Sequence, residues 1–166
     1  MKSVNQIALV ISGLLLSAGS SLAASSGTIT PGGTISESAD ITVATEPGVS
    51  SLSLAASGVD VLIATVNEKS NKKTGYAVTL ASANGVADSV GTARFKGTGG
   101  TPETIDYTVK YNNATLTFAA GVATATASGT KTGGQGVDKT LQISWTGTFL
   151  AADTYSDTLT LTISNN

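Results

Sequence analysis

Residues 155–166 read Y-S-D-T-L-T-L-T-I-S-N-N. Leu159, Leu161 and Ile163 fall on one face of an extended strand and Thr158, Thr160 and Thr162 on the other, the period-2 pattern of a half-buried strand. A strand with one buried face wants a neighbour on each side, and no sequence follows to supply the next. Either an earlier segment folds back beside Leu159, Leu161 and Ile163, or another molecule supplies the partner. Asp157 interrupts the apolar face. Burying its charge without partners is costly, which places it at the rim of the sheet or on backbone amides where the strand begins.

Working outward, the chain repeats this pattern at short intervals. Ala39, Ile41, Val43 and Thr45 alternate with Asp40, Thr42, Ala44 and Glu46, and Pro47-Gly48 ends the run, so 39–45 reads as a detached strand of seven residues. Leu52 and Leu54 alternate next. Val59, Val61 and Ile63 follow, running to about Val66 before a polar turn over 67–75. Tyr76, Val78 and Leu80 make another strand, and Asn84-Gly85 is a hairpin-turn signal. Short strands are expected at 93–96, at Ile105, Tyr107, Val109 and Tyr111, at Leu116 and Phe118, and at 122–127. Leu141, Ile143 and Trp145 share one face, to which Phe149 returns. No helix is expected. Seven or eight short strands with threonine on the outer face describe an all-β, antiparallel β-sandwich of immunoglobulin-like build. Alternation decides against a parallel sheet, whose doubly buried strands read as continuous apolar runs.

Residues 1–23 look like a secretory signal peptide: Lys2, an apolar core over 7–16, and small residues at Ser21 and Ala23. That core is too short to span a membrane. Residues 24–47 then form a leader and candidate strand, and 48–166 the sandwich domain. Of 166 residues none is Cys or His, which removes disulfides, zinc and thiol sites and triad chemistry from consideration. The net charge is −2, with 12% charged residues, and no basic surface of the kind nucleic acid requires. Lys69, Lys72 and Lys73 read as a solvated turn. Asp60, Glu68, Asp88, Glu103, Asp138 and Asp153 all sit at expected turns or strand ends, as solvated loop residues rather than a facing pair of catalytic acids. Asp138 lacks the regular spacing of a calcium loop. The glycine clusters 97–100 and 133–136 lack the lysine and the helix of a phosphate cradle. No catalytic residue, metal or cofactor is expected.

The segments K-S-N-K-K-T-G-Y-A-V-T-L-A-S-A-N-G (69–85) and A-A-D-T-Y-S-D-T-L-T-L-T-I (151–163) resemble the spore coat protein U domain family, which includes subunits of archaic chaperone-usher pili. The 40–54 stretch is also similar to the start of such subunits and of alternative, colonisation-factor-type pilins. The resemblance spans about 39–166 and rests on strand patterns.

It implies an immunoglobulin-like subunit lacking its final strand, exported to the periplasm, capped by a periplasmic chaperone and passed to an outer-membrane usher. Each subunit's groove would be filled by a neighbour's N-terminal donor strand, giving a homopolymeric pilus that serves adhesion or biofilm formation. On that pattern Ala39, Ile41, Val43 and Thr45 are the donor residues and Leu159, Leu161 and Ile163 line the acceptor groove. The leader also carries Ile29 and Ile35 around Pro31, so the donor lies either in 39–45 or within 27–36. The alternative is a secreted or coat-forming sandwich in which 39–45 folds back on its own sheet and the loops bind a surface, glycan or protein.

Overall fold

The structure, a computed structural model, describes residues 27–100 and 102–166. The signal-peptide segment lies outside the described residues. The chain divides into two units, Met1–Thr34 and Ile35–Asn166. In the first, residues 27–34 are exposed and carry neither helix nor strand.

The second unit is an all-β, antiparallel sandwich, as the alternation predicts. Its strands are β1 (Ala39–Thr45), β2 (Gly58–Ser70), β3 (Tyr76–Ser82), β4 (Ala93–Gly97), β5 (Thr104–Tyr111), β6 (Ala114–Thr115), β7 (Val122–Ser128), β8 (Val137–Trp145), β9 (Tyr155–Ser156) and β10 (Leu159–Asn165). A wide sheet runs β1-β2-β8-β5-β4-β9, with β6 on β5; a narrow one runs β10-β3-β7. Alternate residues of both point into one core, where Val66, Val109, Leu141 and Ile143 of the wide sheet meet Leu80 and Ala123 of the narrow one. Three strands cannot cover six. Part of the wide sheet's inner face is therefore left beside β10, and this mismatch creates the site described below.

The closing stretch is not one strand. Tyr155 and Ser156 pair with β4 in the wide sheet, and Leu159–Asn165 pairs with β3 in the narrow one. Asp157 and Thr158 make the crossing. Asp157 sits on backbone amides where the second strand begins, accepting Asn84 N–H at 3.1 Å and Thr158 N–H at 2.8 Å. It also accepts the hydroxyls of Ser82 and Tyr107, each at 2.6 Å. Four donors, one hydroxyl from each sheet and two backbone amides, satisfy the half-buried charge.

Several local expectations are corrected. Asn84-Gly85 does not turn a hairpin but lies in a short helix, α1 (Ala83–Ala87), because Ser82 caps it by accepting Gly85 N–H at 3.0 Å. Leu52 and Leu54 form no strand. They follow a 3-10 turn at Val49–Ser51, opened by Gly48 at φ 84°, and pack on the core from there. Leu116 and Phe118 lie beyond the two-residue β6, and Phe149 is fully exposed rather than on the core face.

β2 is longer than expected, and bulges between Gly58 and Val61 and between Leu62 and Ala64 change its phase. Ile63 faces inward at the second bulge itself; Ala64, Val66, Glu68 and Ser70 do so after it, and Val59 is left outside. Glu68 is consequently not a solvated loop residue. It is fully buried and accepts the hydroxyls of Tyr76 (3.0 Å), Tyr111 (2.7 Å) and Thr126 (2.6 Å). In a chain without disulfides this bonded carboxylate joins β2, β3, β5 and β7.

Candidate functional site: an apolar cleft beside β10

The cleft of about 650 Å³ lies between the inner face of the wide sheet and β10. Ile63, Leu141, Ile143 and Tyr107 come to it from β2, β8 and β5, placed there by strand alternation. Leu159 and Leu161 come from β10, half-buried. Leu52 and Leu54 close one side, held by the 3-10 turn. Interior charge is sparse: Asp157 has its four donors, and Glu46 is anchored at the end of β1, its N–H donating to Ile63 O at 2.9 Å.

The cleft is bordered by main chain without a strand partner. Among the described residues β10 pairs only with β3, and β1 only with β2; the two come close to each other without forming a ladder. A row of backbone donors and acceptors next to an apolar cleft is an arrangement that can take up an extended peptide by strand addition.

The structure brings two of the expected donor residues and two of the expected groove residues to this one cleft. Ala39, Ile41, Val43 and Thr45 lie opposite Ser70, Glu68, Val66 and Ala64 of β2 in their own chain. Ile41 packs half-buried on the core, whereas Val43, 45% exposed, and Thr45 line the cleft. Leu159 and Leu161 line it from the other side. Ile163, opposite Val78, is half-buried but does not line it. Sequence reasoning missed Phe95 and Tyr107 as cleft residues, since both sit on faces that read as ordinary core. It also took Leu52 and Leu54 for a strand.

The tyrosine environments follow from burial. The Tyr107 phenol is pushed well above its ordinary value, first by burial and then by its bond to Asp157. Tyr76 is pushed up to about 12 by burial and by Glu68, and Tyr111 is raised for the same reasons. All three stay neutral donors across the physiological range, so they tether carboxylates rather than exchange protons.

Four further acids are bonded within the fold. Asp60 is bonded to Lys110 and Asp88 to Lys96, each at 2.7 Å; Asp153 accepts Gly99 N–H and the Thr98 hydroxyl, also each at 2.7 Å; Asp138 accepts Asn67 Nδ2 at 2.7 Å. Among the described residues no three His, Cys, Asp or Glu side chains gather to hold a metal, and no helix is long and apolar enough to cross a membrane. Fold and cleft together define a class: an antiparallel β-sandwich with an open strand edge beside an apolar groove. No family model matches the chain, and no curated protein sequence does so.

Proposed function

We propose that this protein is a structural subunit of a bacterial surface fibre, exported and then polymerised by strand donation between copies. The observation that carries the reading is the cleft beside β10, where Leu159 and Leu161 stand next to an unpaired strand edge. Filling it with an extended apolar segment satisfies the edge and buries side chains worth about 1.5–3 kcal/mol for each large one. Left empty, such an edge invites aggregation. A subunit of this kind needs cover in transit, and a periplasmic chaperone and an outer-membrane usher are the partners the reading calls for. The resemblance to spore coat U-type pilins points the same way, with adhesion or biofilm formation as the use of the fibre.

A second reading is favoured by one observation, the pairing of β1 with β2 along all seven of its residues. On that reading the sandwich is self-completed and secreted, and binds a surface, glycan or protein through its loops.

The native mass of the chain from Ala24 onward, produced in a bacterial periplasm, separates the two. A fibre subunit gives multimers that survive detergent but not boiling, and Leu161→Asp in the cleft abolishes them. A monomer at all concentrations, unchanged by Leu161→Asp, would overturn the fibre reading.

A further inference from the structure

We propose that the segment taken up by the cleft is the leader, residues 27–36, of a second copy, and not that copy's β1. The inference rests on the strand-exchange reading and names its donor.

β1 is already engaged. Its seven residues pair with β2 from Ala39 opposite Ser70 to Thr45 opposite Ala64, and Ile41 is packed on the core. To be donated, β1 would have to give up that ladder and bare the edge of β2, opening one unpaired edge for each one it closes. The leader has no such commitment. Ile29 and Ile35 are 89% and 91% exposed, and residues 27–34 belong to no strand.

The leader also carries the right pattern. In extended form Ile29, Pro31, Gly33 and Ile35 share one face, and Thr28, Thr30, Gly32 and Thr34 the other. Only Ile29 and Ile35 on that face carry large apolar side chains, with Pro31-Gly32-Gly33 between them, so the leader is free of fixed structure until a partner edge extends it. No charged residue occurs from 27 to 36. From Ile29 to Ile35 is six residues, about 20 Å of strand, the same interval as from Leu159 to Asn165 in β10. Pro31 lacks an N–H, which is tolerated in a strand added at an edge, where one row of its backbone groups faces away from the ladder.

The leader's root is fixed. Asn71 Nδ2 donates to Ser36 O at 2.8 Å, Ser38 N–H donates to Asn71 Oδ1 at 2.8 Å, and Lys72 pairs with Glu37. Residues 36–38 are thus held at the end of β2, so the donor segment ends at Ser36 and β1 stays with its own subunit. A contact between one copy's leader and another's cleft is head-to-tail, the kind that propagates into an open filament unless its rotation closes a ring.

The test uses the full chain from Ala24 with three substituted forms: Ile29→Asp/Ile35→Asp, Ile41→Asp/Val43→Asp, and Leu161→Asp. A synthetic peptide of residues 27–36 is the probe. Trp145 is the only tryptophan and meets Phe95 of the cleft edge-on, with centroids 6.3 Å apart, so its emission reports on occupancy. The leader variant is expected to be a folded monomer, to bind the peptide with a shift of Trp145 emission, and to pair one-to-one with the Leu161→Asp form, whose leader is intact. Multimers that persist in the leader variant but vanish in the β1 variant would overturn the inference and leave the strand-exchange reading standing, with β1 as donor. A monomeric wild type that ignores the peptide while the leader variant binds it would mean that the leader fills its own cleft, which also overturns it. If no form multimerises or binds the peptide, the strand-exchange reading falls together with the inference. Should Leu161→Asp fail to fold, peptide binding by the leader variant decides alone.

Discussion

The Tyr107 hydroxyl donates to Asp157 Oδ2 at 2.6 Å, tying the middle of β5 to the point where the chain leaves the wide sheet for the narrow one. Ser82, at the end of β3, donates to the same oxygen. Asp157 therefore sets where β10 begins, and with it the position of Leu159 and Leu161 in the cleft.

Replacing Asp157 by Ala orphans two hydroxyls and the Asn84 N–H at once. The expected loss is about 2–4 kcal/mol, and about 1.5–3 for Tyr107→Phe, because hydrogen bonds to a charged group exceed neutral ones. Urea denaturation at neutral pH measures both. A double variant no worse than Asp157→Ala alone would confirm that the two act through one bond; full additivity would refute it.

The buried phenols make the protein alkali-sensitive. In the folded state Tyr76 titrates near 12 against an ordinary 10, with Tyr107 and Tyr111 also raised. The unfolded chain thus releases these protons first. Their contribution to stability is whole below pH 10 and is lost as pH rises through the folded-state values. Melting temperature should fall steeply above pH 10, together with a cooperative rise in phenolate absorbance. Gradual ionisation of all four tyrosines before unfolding would contradict the burial described here.

On the acid side, Asp88 is held below its ordinary 3.8 chiefly by its bond to Lys96, with Arg94 adding to it. The carboxylate form is the one the fold prefers. Its contribution is present above pH 3.8 and disappears as pH falls through the lower folded-state value. Melting curves between pH 2 and pH 5 should have a shallower slope in Asp88→Asn than in the wild type, and an unchanged slope would remove Asp88 from the account.

Gly58 lies under the Trp145 ring, and a Cβ there would come within 2.3 Å of it. The indole is held by its Nε1–H, which donates to Ala56 O at 2.8 Å. Gly58→Ala is expected to cost about 1–3 kcal/mol through overpacking. The emission of Trp145 should shift as the ring is displaced. A variant of wild-type stability and spectrum would show that the ring has room to move.

Much of the fold was legible because alternation is a local property. Residues 39–45, 76–82 and 104–111 show their inner and outer faces directly, and the structure has strands there. The phase of β2 was not legible. Each bulge slips the pairing by one residue and so turns the chain over. That slip carried Glu68 from an expected turn into the core, where only the arrival of Tyr76, Tyr111 and Thr126 from other strands makes a buried carboxylate tolerable. Asn84-Gly85 misled for a similar reason: Ser82 and Asp157, 75 residues apart, capture the amides that a hairpin would have used.

By itself the sequence determined the class, the faces of most strands, and two alternating segments, around Ile41 and Leu161, each with one apolar face. Short-range periodicity is enough for that, since a side chain's face depends only on its own backbone. Which segments meet was decided by the tertiary structure: β1 lies on β2, β10 lies on β3 and borders a cleft, and the narrow sheet covers only part of the wide one. Pairing and coverage depend on contacts between residues far apart in the chain, and no local pattern encodes the width of a sheet.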